Sequence, residues 1–144
     1  MGYTARLDTL QALALLRKLP FLDGWSAKRR ANAKFYDKAL AGIPGLTTPF
    51  VDANNESIFN QYTIRTQRRD ALQAFLKGKG IGSAIYYPLP LHLQPCFAHL
   101  GYKKGSMPES EKAAAEVLSL PIFPELAQAQ LDEVATAVRE FHQA

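Results

Sequence analysis

The hydrophobic pattern opens with Leu7 to Leu19, an Ala- and Leu-rich stretch with apolar residues on nearly every side of a helical wheel. A helix apolar all round is expected to be buried on more than one face, against its own domain and against something else. Pro20 is expected to end or kink it. A second helix is predicted from Trp25 to Leu40, where Arg29, Ala33, Tyr36 and Leu40 recur at helical spacing with Ala31, Phe35 and Ala39 nearby. Gly42 and Pro44 supply its stop.

From Gly45 to Ser57 the pattern reads as extended loop, with a short strand near Thr47 to Val51. Ile58 to Arg65 is rich in β-branched and aromatic residues, which predicts a strand with Ile58, Asn60, Tyr62 and Ile64 on one face. Asp70 stands at an N-cap or first-turn position, and Leu72, Phe75 and Leu76 predict a helix ending at Gly78 or Gly80. Ile81 to Tyr87 is predicted as a further strand, so that strand, helix and strand suggest a crossover unit, an antiparallel neighbour being the alternative. Between Tyr87 and Pro95 the prolines break regular structure, yet the intervening residues are apolar or aromatic, so this loop is expected to pack over something. A short helical turn follows at Cys96 to Leu100, then a helix from Pro108 to Val117 and an extended segment from Leu118 to Phe123. A last helix from Ala127 to His142 carries Leu131, Val134, Val138 and Phe141 as one stripe. The expected fold is α/β (α+β), a small mixed sheet flanked by helices. It is read as a single domain over 1–144, with a helical pair at 1–42 and a sheet-containing part at 45–144. A chain that starts almost directly in an apolar helix looks like a cut end.

Composition changes this picture little. At 144 residues, 47% hydrophobic and 21% charged, the chain is long enough for one core and is of ordinary globular type. No apolar run is long enough to span a bilayer and no secretory signal is visible. The single cysteine, Cys96, excludes an internal disulfide and suits a reducing compartment, so the cytoplasm is expected. The formal charge is +4, but the basic residues are scattered and form no stripe with interleaved aromatics, which argues against nucleic acid. His99 and His142 lack Asp, Glu or Cys at metal-ligand spacing, and no metal site is expected. Cys96 lacks the companions of a thiol nucleophile and reads as a packed position in its short helix. Gly78 to Gly82 follows a helix and leads into a strand, the reverse of a phosphate cradle. Every lysine reads as an exposed position, and no catalytic residue is assigned. His92, in the Pro-rich loop with Tyr86, Tyr87 and Gln94, is left with two readings: a polar-ligand or proton-relay group, or a histidine satisfied by loop backbone.

Taken in order, these stretches resemble a known family. Gly2-Tyr3-Thr4-Ala5-Arg6-Leu7-Asp8-Thr9-Leu10-Gln11-Ala12 resembles the G-x-N-x-R-L-D-x-x-Q-A segment of the DegT/DnrJ/StrS-type, pyridoxal-phosphate-dependent nucleotide-sugar aminotransferases. Asn60 to Arg65, Arg69-Asp70, Gly80-Ile81, the block Ile85 to Gln94, and Leu118 to Pro121 continue it. The resemblance implies the C-terminal small domain of an enzyme built like aspartate aminotransferase (fold type I), whose cofactor-bearing lysine lies upstream of the first motif. It implies pyridoxal phosphate for the full-length family, no cofactor bound by this chain alone, and no transamination by it. It places Thr4, where the family has Asn, and Arg6 toward the cofactor, and His92 and Tyr87 at the sugar-binding mouth, with Asn60 on the strand behind it read either as a substrate contact or as a structural residue. The expected partners are a nucleotide sugar in the full-length family, and a second copy or a missing N-terminal domain on the Leu7 to Leu19 helix. A free-standing interaction or self-associating module with the same fold is the alternative.

Overall fold

A computed structural model describes residues 6–143. Its centre is β2 (Tyr62–Thr66), whose alternate residues Tyr62, Ile64 and Thr66 are buried while Thr63 and Arg65 are half-buried. That alternation is the period of a strand with one face on a core. β1 (Leu46–Thr47) pairs antiparallel with one edge of β2, setting Leu46 opposite Thr66. β3 (Val117–Leu120) pairs antiparallel with the other edge, setting Tyr62 opposite Leu120 and Ile64 opposite Leu118.

Three helices supply the apolar cover. α2 (Leu22–Ala39) contributes Ala33 and Tyr36, and α3 (Arg69–Gly78) contributes Leu72 and Leu76. α5 (Gln128–Gln143) buries the predicted stripe of Leu131, Val134, Val138 and Phe141. Tyr36 and Tyr62 meet at the middle, ring centroids 5.0 Å apart. Their hydroxyls donate to the Pro121 carbonyl and to Asp37 Oδ1 at 2.9 and 2.7 Å. Burial pushes both phenols well above their ordinary pKa, with the Asp37 carboxylate adding to the effect on Tyr62, so both remain hydrogen-bond donors. α4 (Pro108–Glu116) is closed at its end by the buried Arg69, which donates to the Ala114 and Val117 carbonyls at 3.0 and 3.1 Å.

The structure corrects three expectations. The strand predicted from Ile58 begins only at Tyr62, and Ile58 and Asn60 are exposed. Phe59 takes a left-handed φ of 49°, and Arg29 draws the Phe59 and Asn60 carbonyls toward α2 at 3.3 Å each. Those carbonyls therefore serve a guanidinium rather than a ladder. Ile81 to Tyr87 is not a strand: it reaches the sheet only where Ala84 and Ser119 exchange two backbone hydrogen bonds at 3.1 and 2.7 Å. All pairings are antiparallel, so the suggested crossover is absent among the described residues.

The third correction concerns α1 (Thr9–Lys18), capped by Asp8, whose carboxylate accepts from the Gln11 amide at 3.0 Å. It buries no residue: Leu10 is 80% exposed and Leu16 66%. Burial against its own domain, the first half of the expectation, is thus not found. As expected at Pro20, α1 stops at Lys18; a 3₁₀ turn (Leu19–Phe21) that contains the proline then runs straight into α2. No helix among the described residues is long and apolar enough to cross a membrane.

The two apolar classes predict opposite mutational outcomes. Leu72→Ala, in the core, should cost about 2–5 kcal/mol. Leu10→Ala should stay within about 0.5 kcal/mol in dilute solution. Urea unfolding measures both, and a large loss at Leu10 would show that α1 packs onto this domain after all.

Candidate functional site

The Pro-rich loop forms one wall of a groove of about 280 Å³, with Tyr86, Tyr87, Leu89 and Leu91 facing Ser110, Ala113 and Ala114 of α4. Prolines at 88, 90 and 95 deny the loop a ladder, and its side chains sort by direction. Tyr87 is 74% exposed and Leu91 also faces outward, whereas the neighbouring His92 side chain is 2% exposed. The polar residue is the one turned inward.

His92 sits in a 3₁₀ turn (Leu91–Leu93) and its Nε2 donates to Glu111 Oε1 at 2.9 Å. The same carboxylate accepts the Gly105 amide at 2.8 and 3.0 Å and the Met107 amide at 3.4 Å. The Tyr102 ring stands edge-on to the imidazole at 6.4 Å. His92 Nδ1 is buried without a hydrogen-bond partner among the described residues. Of the two readings for His92, satisfaction by loop backbone is not what the structure shows: its partner is the Glu111 side chain. Tyr102, not Tyr86 or Tyr87, is the phenol ring against it.

Asn60 lies in a neighbouring depression of about 450 Å³, between Asn60-Gln61 and Gly82 to Ala84, and Tyr86 borders both hollows. The structure therefore brings Tyr87 and Asn60 to either side of one tyrosine. Arg6 is exposed, outside the walls of both depressions, and Thr4 lies outside the described residues. Cys96, expected as a packed position, is exposed, because the 3₁₀ helix Pro95–Leu100 buries none of its residues. His99 Nδ1 donates to the Cys96 carbonyl at 3.1 Å, and His142 Nδ1 to Val138 at 2.9 Å. No group of ligating side chains that could hold a metal occurs among the described residues.

Sequence reasoning missed Glu111, Ser110 and Tyr102. Glu111 reads there as a first-turn acid of α4, favoured by the helix N-terminus; nothing in the sequence couples it to a histidine 19 positions earlier. The cofactor implied by the resemblance needs a lysine shielded in a pocket. Every lysine in the sequence is exposed, and Lys79 is engaged with Glu140 at 2.6 Å. The residues present do not by themselves fit pyridoxal phosphate.

The hydrogen bond from His92 comes first, and those from the Gly105 and Met107 amides add to it, in holding the Glu111 carboxyl below its ordinary value of 4.5, against a partial offset from desolvation. A carboxyl with a lowered folded-state pKa stabilises the fold above its unfolded value and loses that contribution as pH falls through the lowered one. The carboxyl ¹³C resonance of Glu111 should therefore titrate with a midpoint under 4.5, and a midpoint at or above that value would contradict the three-way contact.

The profile of the DegT/DnrJ/EryC1/StrS aminotransferase family matches residues 1–139. The chain is 51% identical over 144 residues to a Geobacillus stearothermophilus protein named pleiotropic regulatory protein, covering 99% of this chain and 39% of that one. It is 41% identical over 140 residues to a dTDP-3-amino-3,4,6-trideoxy-alpha-D-glucose transaminase of Streptomyces venezuelae, covering 97% and 37%. Among solved structures, S. venezuelae DesV in complex with a ketimine intermediate superposes with a TM-score of 0.94 at 40% identity, over 96% of this chain and 38% of that one. A DegT DnrJ EryC1 StrS aminotransferase from Brucella abortus superposes with a TM-score of 0.90 at 39% identity, over 100% and 38%. The chain thus spans less than two fifths of the length of the relatives it matches. It belongs to the DegT/DnrJ/EryC1/StrS aminotransferase family.

Proposed function

We propose that this chain is the C-terminal small-domain part of a pyridoxal-phosphate-dependent nucleotide-sugar aminotransferase, and that it does not transaminate without a lysine-bearing domain. The observation that carries the proposal is the exposure of every lysine, set beside family membership along almost the whole chain. When bound, pyridoxal phosphate supplies the electron sink for amino-group transfer; this chain supplies part of the cleft around it. Tyr87 and Asn60 face the nucleotide sugar on either side of Tyr86, and His92 serves that mouth from behind by holding the loop. Thr4 and Arg6 reach toward the cofactor phosphate. On this reading the chain works in the cytoplasm as one domain over 1–144, with neither nucleic acid nor membrane as a partner.

The exposed leucines of α1 support a neighbour on that helix, either the cofactor-bearing domain or a second copy of the chain. They equally favour a second reading, a free-standing module that kept the small-domain fold and associates through α1.

Mixed with pyridoxal phosphate, the chain should give no absorbance band that disappears on substitution of one particular lysine. A band abolished by a single Lys→Ala change, with the other lysine variants unaffected, would overturn the proposal.

A further inference from the structure

The groove beside Tyr87 has two walls from different parts of the chain, and one carboxylate holds both. Glu111 belongs to α4, which supplies Ser110, Ala113 and Ala114 to one wall. Through His92 Nε2 it grips the turn directly after Tyr86, Tyr87, Leu89 and Leu91, which form the other. Its remaining acceptor capacity takes the Gly105 and Met107 amides, in a loop where Gly105 needs a left-handed φ of 91°. His92 has no second hydrogen bond that could replace this one, since Nδ1 is buried and unpartnered among the described residues. Tyr87, Leu89 and Leu91 stay largely exposed on the groove wall and Leu93 is half-buried, so the imidazole is the one fully buried side chain of this turn.

We infer that Glu111 is a positioning residue for the groove: it acts through His92 to fix the spacing between the Tyr86–Leu91 wall and α4. The inference rests on the reading of this groove as the sugar-facing mouth. A ligand entering a groove whose walls are already set avoids the entropy of ordering them, so the latch converts directly into affinity. Glutamine at 111 keeps an oxygen for the His92 Nε2–H; alanine keeps nothing.

The test uses the whole 144-residue chain, Glu111→Ala and Glu111→Gln, with two NMR measurements. Amide hydrogen exchange at Leu93, Gln94 and Phe97, whose amides bond within the loop, should quicken at least about tenfold in E111A. Sheet amides of Tyr62 to Thr66 should be unchanged, which separates a released loop from a failed fold. Titration with UDP-N-acetylglucosamine, followed at Tyr87 and Ser110, should weaken at least about tenfold in E111A and return to within about threefold of the parent chain in E111Q, a rescue that general destabilisation would not give. Unchanged loop exchange in E111A, or equal weakening in both variants, would overturn the role of Glu111. If the parent chain shows no response to the nucleotide sugar while E111A still frees the loop, the sugar-mouth reading fails and with it the claim that the latch serves a ligand; the exchange result then marks a purely structural contact.

Discussion

Three successive carbonyls leave the end of β3 facing α2, and three polar side chains of that helix take them. Tyr36 binds Pro121, Arg29 binds Ile122 and Asn32 binds Phe123, each at 2.9 Å. Left unpaired in a part-buried seam, each carbonyl would cost about 1–3 kcal/mol, so α2 could not close over the sheet. With the seam satisfied, Tyr36 is delivered against Tyr62 and the core forms around that pair. The same Arg29 also bends the chain at Phe59 and Asn60, placing Asn60 at the border of its depression. One row of polar residues on an otherwise packing helix thus connects the core to the candidate site.

The site itself follows a similar economy. A loop that prolines exclude from the sheet is held by one inward histidine, and the helix opposite holds the carboxylate that receives it. The loop's aromatic and leucine side chains are then free to form a groove instead of a core. What the groove lacks is reactive chemistry. No shielded lysine stands near it, and no metal-ligating cluster occurs among the described residues. Family membership and coverage of less than two fifths of the relatives' length fit a part of a cleft, the reading proposed above.

Much of this was legible in the sequence where a single periodicity governs. The α5 stripe and the α3 apolar positions needed only the 3.6-residue repeat, and the structure buries the stripe together with Leu72 and Leu76 and half-buries Phe75. Strand limits failed where a distant side chain competes for backbone: Ile58 to Gln61 has strand composition, but Arg29 spends the Phe59 and Asn60 carbonyls. Ile81 to Tyr87 failed similarly, since its one contact with the sheet is the Ala84–Ser119 pair. The composition of Tyr87 to Pro95 pointed to a packed, non-regular loop, yet the His92–Glu111 contact was invisible because no local pattern couples those positions. Ordered motifs made the family legible for a different reason: each is short, but their sequence along the chain is specific.

The residue pattern of α1 remains out of balance with its surroundings. Leu10, Leu13, Leu15 and Leu16 are all exposed on a short, well-capped helix, and Leu19 is exposed on the 3₁₀ turn that joins it to α2. Apolar surface of this extent marks an interaction site, and the account proposed here requires something to cover it. Sedimentation velocity over a range of concentrations, on the chain and on a Leu10→Asp, Leu13→Asp, Leu16→Asp variant, tests that requirement most directly. Cover by a second copy predicts association of the unmodified chain that the charged variant abolishes while its unfolding midpoint stays close to the parent's; a parent chain that remains a clean monomer at high concentration would contradict that cover.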